Sequence, residues 1–226
     1  MFRPALLAAA LATAPAAHAA DAAHPTVVEL YQSQGCSSCP PAIRNVNALA
    51  DRPGVLTLTF AVTYWDQLGW KDTFASAAQT SRQWDYARGF GHDQVWTPQV
   101  IVDGRADVVG ARPGQVEALL AKTPPRAGPS LTLAAGSVAV GQGAAPAGGA
   151  DVWLVRFDPR VVPVAIRSGE NGGRTIDHRN VVRQLVKLGR WTGSAATLPL
   201  PAAAGGLQTA VLIQAAGGPI LAAVRG

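Results

Sequence analysis

Cys36 and Cys39 are the two cysteines of the chain, three residues apart in "VVELYQSQGCSSCPPAIRNVNALA". Thiols at that spacing meet in a tight turn or a helix start, where they can form a disulfide, hold a soft metal ion or exchange electrons with other thiols. As a structural staple the pair would contribute little, because bridging so short a loop removes little chain entropy. A closed zinc site generally takes four ligands, and no second CxxC is present. Covalent haem needs a histidine directly after the second cysteine, where Pro40 stands. Copper(I) stays open, since two thiolates plus His92 suit a soft ion.

Electron exchange needs one activated, reachable thiol and a second held ready to resolve a mixed disulfide. A strand ending at a helix N-terminus supplies the first condition: unpaired N–H groups and the positive dipole end favour a thiolate at Cys36 and pull its pKa toward the range of roughly 3.5 to 7.5 found in such motifs. On this reading Cys36 faces solvent and attacks, and Cys39 resolves. Ser37 and Ser38 add hydroxyl donors, while Pro40 and Pro41, which lack N–H groups, suit a first helical turn. None of this sets the direction of electron flow, for which about 30 mV already corresponds to 1.4 kcal/mol.

The elements around the pair read as follows. "TVVELY" (residues 26–31) is strand-like, and Ile43, Val46, Leu49 and Ala50 recur at helical spacing until "DRPG". "VLTLTFAV" (55–62) is a second strand, so the cysteines sit at the strand-to-helix turn of a β-α-β unit. A helix over 76–88 closing at Gly89, strands in "QVIVDG" and "ADVVG" joined at Asp103-Gly104, and a helix over 112–122 complete the order β-α-β-α-β-β-α. A proline-rich linker at 124–130 then separates this domain, 24–123, from a smaller, β-rich, sandwich-like domain at 131–226. There "GENGG" fits a hairpin turn and "NVVRQLVKLGRW" a long strand.

Residues 1–19 carry one cation, Arg3, then an apolar stretch and small residues near Ala19, the order of a cleavable secretory signal. The apolar stretch is shorter than the roughly 18 to 20 residues of a membrane span. The expectation is a secreted or periplasmic protein without a transmembrane anchor after cleavage. Met1 is the chain's single methionine, so the exported protein would keep its oxidisable sulfur in the cysteine pair. The 19 Lys and Arg residues are scattered, with no basic stripe interleaved with aromatics, so a formal charge of +5 does not point to nucleic acid.

"ELYQSQGCSSCPP" followed by "WTPQVIVDG" resembles the thioredoxin superfamily. With "YWDQLGWKD", and later "SGENGGRT", "NVVRQL" and "LGRW", the chain more narrowly resembles the exported, thioredoxin-like family labelled domain of unknown function 1223. The resemblance implies a thioredoxin-like first domain, a cis Thr97–Pro98 bond and a Thr97 backbone lying beside the sulfurs to pair with an extended substrate. That narrower family often ends its second strand with a histidine and an acid, where this chain has Ala61 and Thr63. Asp66 and Asp72 are then candidates for moving protons, against the plainer role of solvated loop carboxylates.

Tyr64 and Trp65 follow the carboxyl end of the second strand, where open α/β sheets bind ligands, and Trp96 adjoins Thr97-Pro98. These three are candidates for a groove that positions substrate. His178 reads as a surface or hydrogen-bonded residue. The expected function is an exported thiol-disulfide oxidoreductase, requiring no cofactor, whose partners are protein thiols or disulfides of the cell envelope. A copper(I) carrier using Cys36, Cys39 and His92, or a non-enzymatic binding scaffold, are the alternatives.

Overall fold

Continuous β-branched and apolar runs form strands that are covered on both faces, and "TVVELYQ" and "VLTLTFA" are such runs. In the computed structural model, which describes residues 20–112 and 114–226, they are β1 (Thr26–Gln32) and β2 (Val55–Ala61), paired in parallel, with every residue but Thr26 buried. The proposed signal at residues 1–19 lies outside the described residues. α1 (Cys39–Asn47) links the two strands, with Pro40 and Pro41 in a first turn whose N–H groups would lack helical partners anyway. α2 (Ala77–Phe90), β3 (Gln99–Val102), β4 (Ala106–Val108) and α3 (Gln115–Lys122) follow in the expected order. β3 runs antiparallel to β1, and Asp103 and Gly104, both at positive φ, turn the chain from β3 into β4.

α2 ends later than its sequence suggests. Ser76 caps its N-terminus, accepting from the Gln79 N–H at 3.3 Å, and the helix closes at Gly91, at φ 71°, rather than at Gly89. Gly89 serves another need: a Cβ there would sit 1.7 Å from the Gly217 carbonyl oxygen, so the glycine permits close backbone approach.

The chain continues through β5 (Leu131–Ala134), β6 (Ser137–Val140), β7 (Ala150–Asp158), β8 (Val162–Ala165), β9 (Thr175–His178), β10 (Val181–Trp191), β11 (Ala196–Pro199), β12 (Gln208–Ala215) and β13 (Ile220–Arg225). Eight strands form one mixed sheet in the order β13-β12-β7-β10-β2-β1-β3-β4. Strands from before and after the proline-rich stretch therefore share a sheet, joined where β10 meets β2 in parallel at Val181 and Thr59. Asn180, at φ 49°, secures the seam: its carbonyl accepts from Thr59 N–H at 2.9 Å and its amide donates to Thr57 Oγ1 at 2.8 Å. Within the proline-rich stretch Arg126 is buried on Asp103, 2.8 Å away, and also donates to the His24 carbonyl. The fold is thus mixed α/β, with a large mixed sheet and few helices.

Alternation along β1 assigns its two faces to different cores. Val27 and Tyr31 join Phe60, Tyr86, Phe157 and Leu212 beneath α2, where Glu29 and Arg82 form a fully buried ion pair at 2.6 Å. Val28 and Leu30 join Ile43 and Val46 of α1, together with Cys36 and Cys39. The antiparallel β8–β9 hairpin contributes Ile166 and Ile176 to this second core. A third core lies between the three-stranded sheet β11-β6-β5 and the β7–β12 end of the large sheet.

Candidate active site

The chain leaves β1 at Gln32, turns through residues 33–38 and enters α1 at Cys39. Cys36 N–H donates to the Ser33 carbonyl and Cys39 N–H to the Cys36 carbonyl, both at 3.1 Å. This turn holds the two Cα atoms 5.4 Å apart, and Cys36 and Cys39 are joined by a disulfide. Contrary to the expectation of a solvent-facing nucleophile, both cysteines are 0% exposed. The reason is steric: Trp65, Trp70, Ile166 and Ile176 pack into the cluster that contains them.

Ser38 is the N-cap position of α1 but makes no side-chain cap bond. Its hydroxyl lies 3.3 Å from Cys36 Sγ and 3.4 Å from the Thr97 carbonyl oxygen. Neither a disulfide sulfur nor a carbonyl oxygen has a proton to give, so the single Ser38 hydroxyl proton is shared between Cys36 Sγ and the Thr97 carbonyl. The same hydroxyl brings Thr97 next to the sulfur turn. The Thr97–Pro98 peptide is cis, and Thr97 Oγ1 accepts from Trp65 Nε1 at 2.8 Å. Cys36, Cys39, Ser38, Thr97, Pro98 and Trp65 are therefore drawn together around one turn, with Pro40 buried in the first turn of α1.

The other sequence candidates make different contacts. Tyr64 packs toward the α2 core, its hydroxyl 3.2 Å from Gln83 Oε1, and burial pushes its phenol up to about 12. Trp96 stacks edge-on against His92 beside an open groove over residues 91–96. His92 Nε2 lies 3.3 Å from an Asp107 carboxylate oxygen, and no group of three or more potential metal-ligating side chains occurs among the described residues. The copper ligand set of Cys36, Cys39 and His92 is not assembled. His178 is neither exposed nor hydrogen-bonded: it is fully buried edge-on to Phe74, and its ring nitrogens lack partners among the described residues. Burial, aided by the Arg183 charge, pulls its imidazole down to about 4.

Three contributors, Asn171, Glu170 and Gln34, escaped sequence reasoning, and they act beside Asp72, which the sequence offered as a proton carrier. Asn171, in the β8–β9 connection, donates its side-chain amide to the Gln34 carbonyl at 2.9 Å and the Cys36 carbonyl at 2.8 Å. Glu170 accepts from the Ser37 N–H at 3.1 Å and the Ser37 hydroxyl at 2.6 Å, and these bonds hold its carboxyl below the usual range. Asp72 accepts from the Gln34 N–H at 2.7 Å and the Phe74 N–H at 2.8 Å. It is only 3% exposed, not a solvated loop carboxylate, and burial outweighs these bonds to push its carboxyl up to about 6. Gln34 itself is buried between Trp70 Nε1 and Thr73 Oγ1. The available signal was the pair of motifs "YWDQLGWKD" and "SGENGGRT", which lie far apart in sequence yet meet at the sulfur turn. They touch where Ser168 Oγ donates to the Gly69 carbonyl and Gly169 backs onto the Trp70 Cβ.

These features define a mixed α/β protein with a disulfide-forming CxxC at a strand-to-helix turn, roofed by two loops. Residues 27–214 match the family model described as "Protein of unknown function (DUF1223)", and the chain belongs to that family. The crystal structure of protein AGR_C_4864 from Agrobacterium tumefaciens is similar, with 32% identity, a TM-score of 0.71, and coverage of 88% of this chain and 92% of that one. HBP35 of Porphyromonas gingivalis shares the fold at 10% identity and a TM-score of 0.56, over 90% of this chain and 75% of that one. No protein of curated function matches the chain. Among the described residues, no helix is long and apolar enough to cross a membrane.

Proposed function

We propose that the protein is an exported thiol-disulfide oxidoreductase that exchanges electrons with protein thiols or disulfides of the cell envelope, built on a thioredoxin-like first domain followed by a β-rich second one. The observation that carries this reading is the Cys36–Cys39 disulfide set at the strand-to-helix turn beside Thr97, with the Ser38 hydroxyl between them. A bridge spanning three residues closes almost no loop, so its value as a staple is small and its chemistry is the better account of it.

As a reductant, the Cys36 thiolate attacks one sulfur of a partner disulfide, forming a mixed disulfide and releasing a partner thiolate. The Cys39 thiolate then attacks Cys36 Sγ, restoring the internal disulfide and releasing the second partner thiolate. Two electrons pass from the cysteine pair to the partner, and both released thiolates take up protons. Oxidation of a partner dithiol is the same sequence reversed. The Ser38 hydroxyl is placed to donate to the Cys36 sulfur, and the thiolate accepts more strongly than the disulfide. Because neither cysteine is exposed, either direction requires the roofing loops to yield.

The test is trapping. The Cys39→Ala variant, challenged with an extract of envelope proteins, should accumulate covalent complexes through Cys36 that dissolve in dithiothreitol, and Cys36→Ala should not. A wild-type protein whose disulfide neither equilibrates with dithiothreitol nor accepts electrons from glutathione would end the proposal.

A further inference from the structure

The strand-to-helix turn offers donors to an anion, and an unexpected anion already occupies part of it. α1 has no acidic residue in its first turn, yet Glu170, 133 residues beyond Ser37, puts one carboxylate oxygen on both the Ser37 N–H and the Ser37 hydroxyl. The two donors of the residue adjoining Cys36 are therefore spent on a carboxylate, leaving the Ser38 hydroxyl as the side-chain donor at the sulfur. Among the described residues no cation pairs with Glu170. Arg174 is turned onto Asn171 Oδ1, at 3.0 Å, and two further carboxylates adjoin the turn: Asp72 on the Gln34 N–H, with Asp66 behind it on the Asp72 N–H.

We propose that Glu170 is a positioning residue that biases the Cys36–Cys39 pair toward the disulfide, making this protein a donor of electrons rather than of disulfides. The inference rests on the redox reading above and gives it a direction. Reduction of the bridge takes two electrons and one proton to yield a Cys36 thiolate and a Cys39 thiol. Negative charge appears at Cys36 only in that reduced state. A carboxylate bound to the adjoining residue opposes it and withholds the Ser37 N–H from it, whereas the neutral disulfide is indifferent to both effects. The potential falls, and a pair of lower potential gives up electrons more readily.

The measurement is the redox equilibrium in dithiothreitol buffers, an uncharged couple, for the wild type, Glu170→Gln and Glu170→Asp. Gln keeps an acceptor oxygen for Ser37 and loses only the charge, so a purely structural role predicts wild-type behaviour. The electrostatic role predicts that the Gln variant's equilibrium moves about tenfold toward the dithiol, about 30 mV for this two-electron couple, while Asp stays nearer the wild type. Thiolate absorbance of reduced Cys39→Ala should also appear at lower pH when Glu170→Gln is added. A Gln variant within about twofold of the wild type overturns the proposal. The difference in potential between the wild type and Glu170→Gln should shrink as salt increases from about 0.01 M to about 1 M and the screening length shortens; a salt-independent difference overturns it equally. A wild type that exchanges no electrons at all defeats the redox reading instead, a separate outcome.

Discussion

Asn171 ties the β8–β9 connection to the sulfur turn by donating its side-chain amide to the backbone carbonyls of Gln34 and Cys36, 2.9 and 2.8 Å away. Both acceptors are buried, and Arg174 fixes the amide's orientation through Asn171 Oδ1. A residue 135 positions from Cys36 thus determines where the Cys36 backbone sits. The connection is at once the roof of the disulfide and its anchor, so mobility of the roof and accessibility of the sulfurs are coupled.

Replacing Asn171 by Ala leaves the buried Gln34 carbonyl without its partner, at a cost of about 1 to 3 kcal/mol if no other donor replaces it, while the Cys36 carbonyl keeps the Cys39 N–H. Chemical denaturation should show the loss. The reduction rate with dithiothreitol should rise, because the loop that covers Cys36 is less firmly held. A slower rate would contradict the coupling.

Beneath α2, the Glu29–Arg82 pair is bidentate, with Nη2 to Oε1 at 2.6 Å and Nε to Oε2 at 3.2 Å; Tyr31 donates to Glu29, and Arg82 reaches Gln214 on β12. Removing one partner strands the other charge in the core, which costs about 3 to 5 kcal/mol. Arg82→Leu and Glu29→Leu should each be severely destabilised in equilibrium unfolding. The double variant should recover a substantial part, since two apolar side chains leave no buried charge.

Gly89 and Gly91 make a sharp contrast within two residues. Alanine at Gly91 meets nothing within 4 Å but must adopt φ 71°, a strain of about 1 kcal/mol. Alanine at Gly89 collides with backbone, 1.7 Å from the Gly217 oxygen, and α2 must separate from the turn between β12 and β13. Thermal unfolding should show a much larger loss for Gly89→Ala than for Gly91→Ala.

Local signals made the first half legible. The apolar runs of β1 and β2, the double proline opening α1 and the Asp103-Gly104 turn act over a few residues, so sequence periodicity reports them directly. The site was legible where its chemistry is local, in Cys36, Ser37, Ser38 and Cys39. It was illegible where distant segments converge. Asn171 has the sequence appearance of a turn residue before a glycine, yet its φ is not positive and its side chain works on another loop. The seam between β10 and β2 rests on the Val181–Thr59 pairing and the bonds of Asn180, a register no local pattern encodes. His178 and Asp72, both polar, have the appearance of surface residues; the β8–β9 hairpin and the Tyr64–Phe74 loop bury them.

Those two residues give the last prediction, because Phe74 touches both, donating its N–H to Asp72 and presenting its ring to His178. Asp72 has its folded pKa raised to about 6, so between its ordinary value and about 6 the folded protein holds a proton that the unfolded chain has lost; stability falls as pH rises through that window. His178 has its folded pKa lowered to about 4, so between about 4 and its ordinary value the unfolded chain holds the extra proton; stability rises with pH there. The two slopes oppose each other over nearly the same range, and their contributions to the wild-type profile should largely cancel. Urea unfolding from pH 4 to 7 should separate them. Asp72→Asn should unmask a gain of stability with rising pH, and His178→Phe a loss, each amounting to up to about 3 kcal/mol. At pH 7 His178→Phe should fold with nearly wild-type stability, since it exchanges an unpartnered buried imidazole for an apolar ring of similar shape.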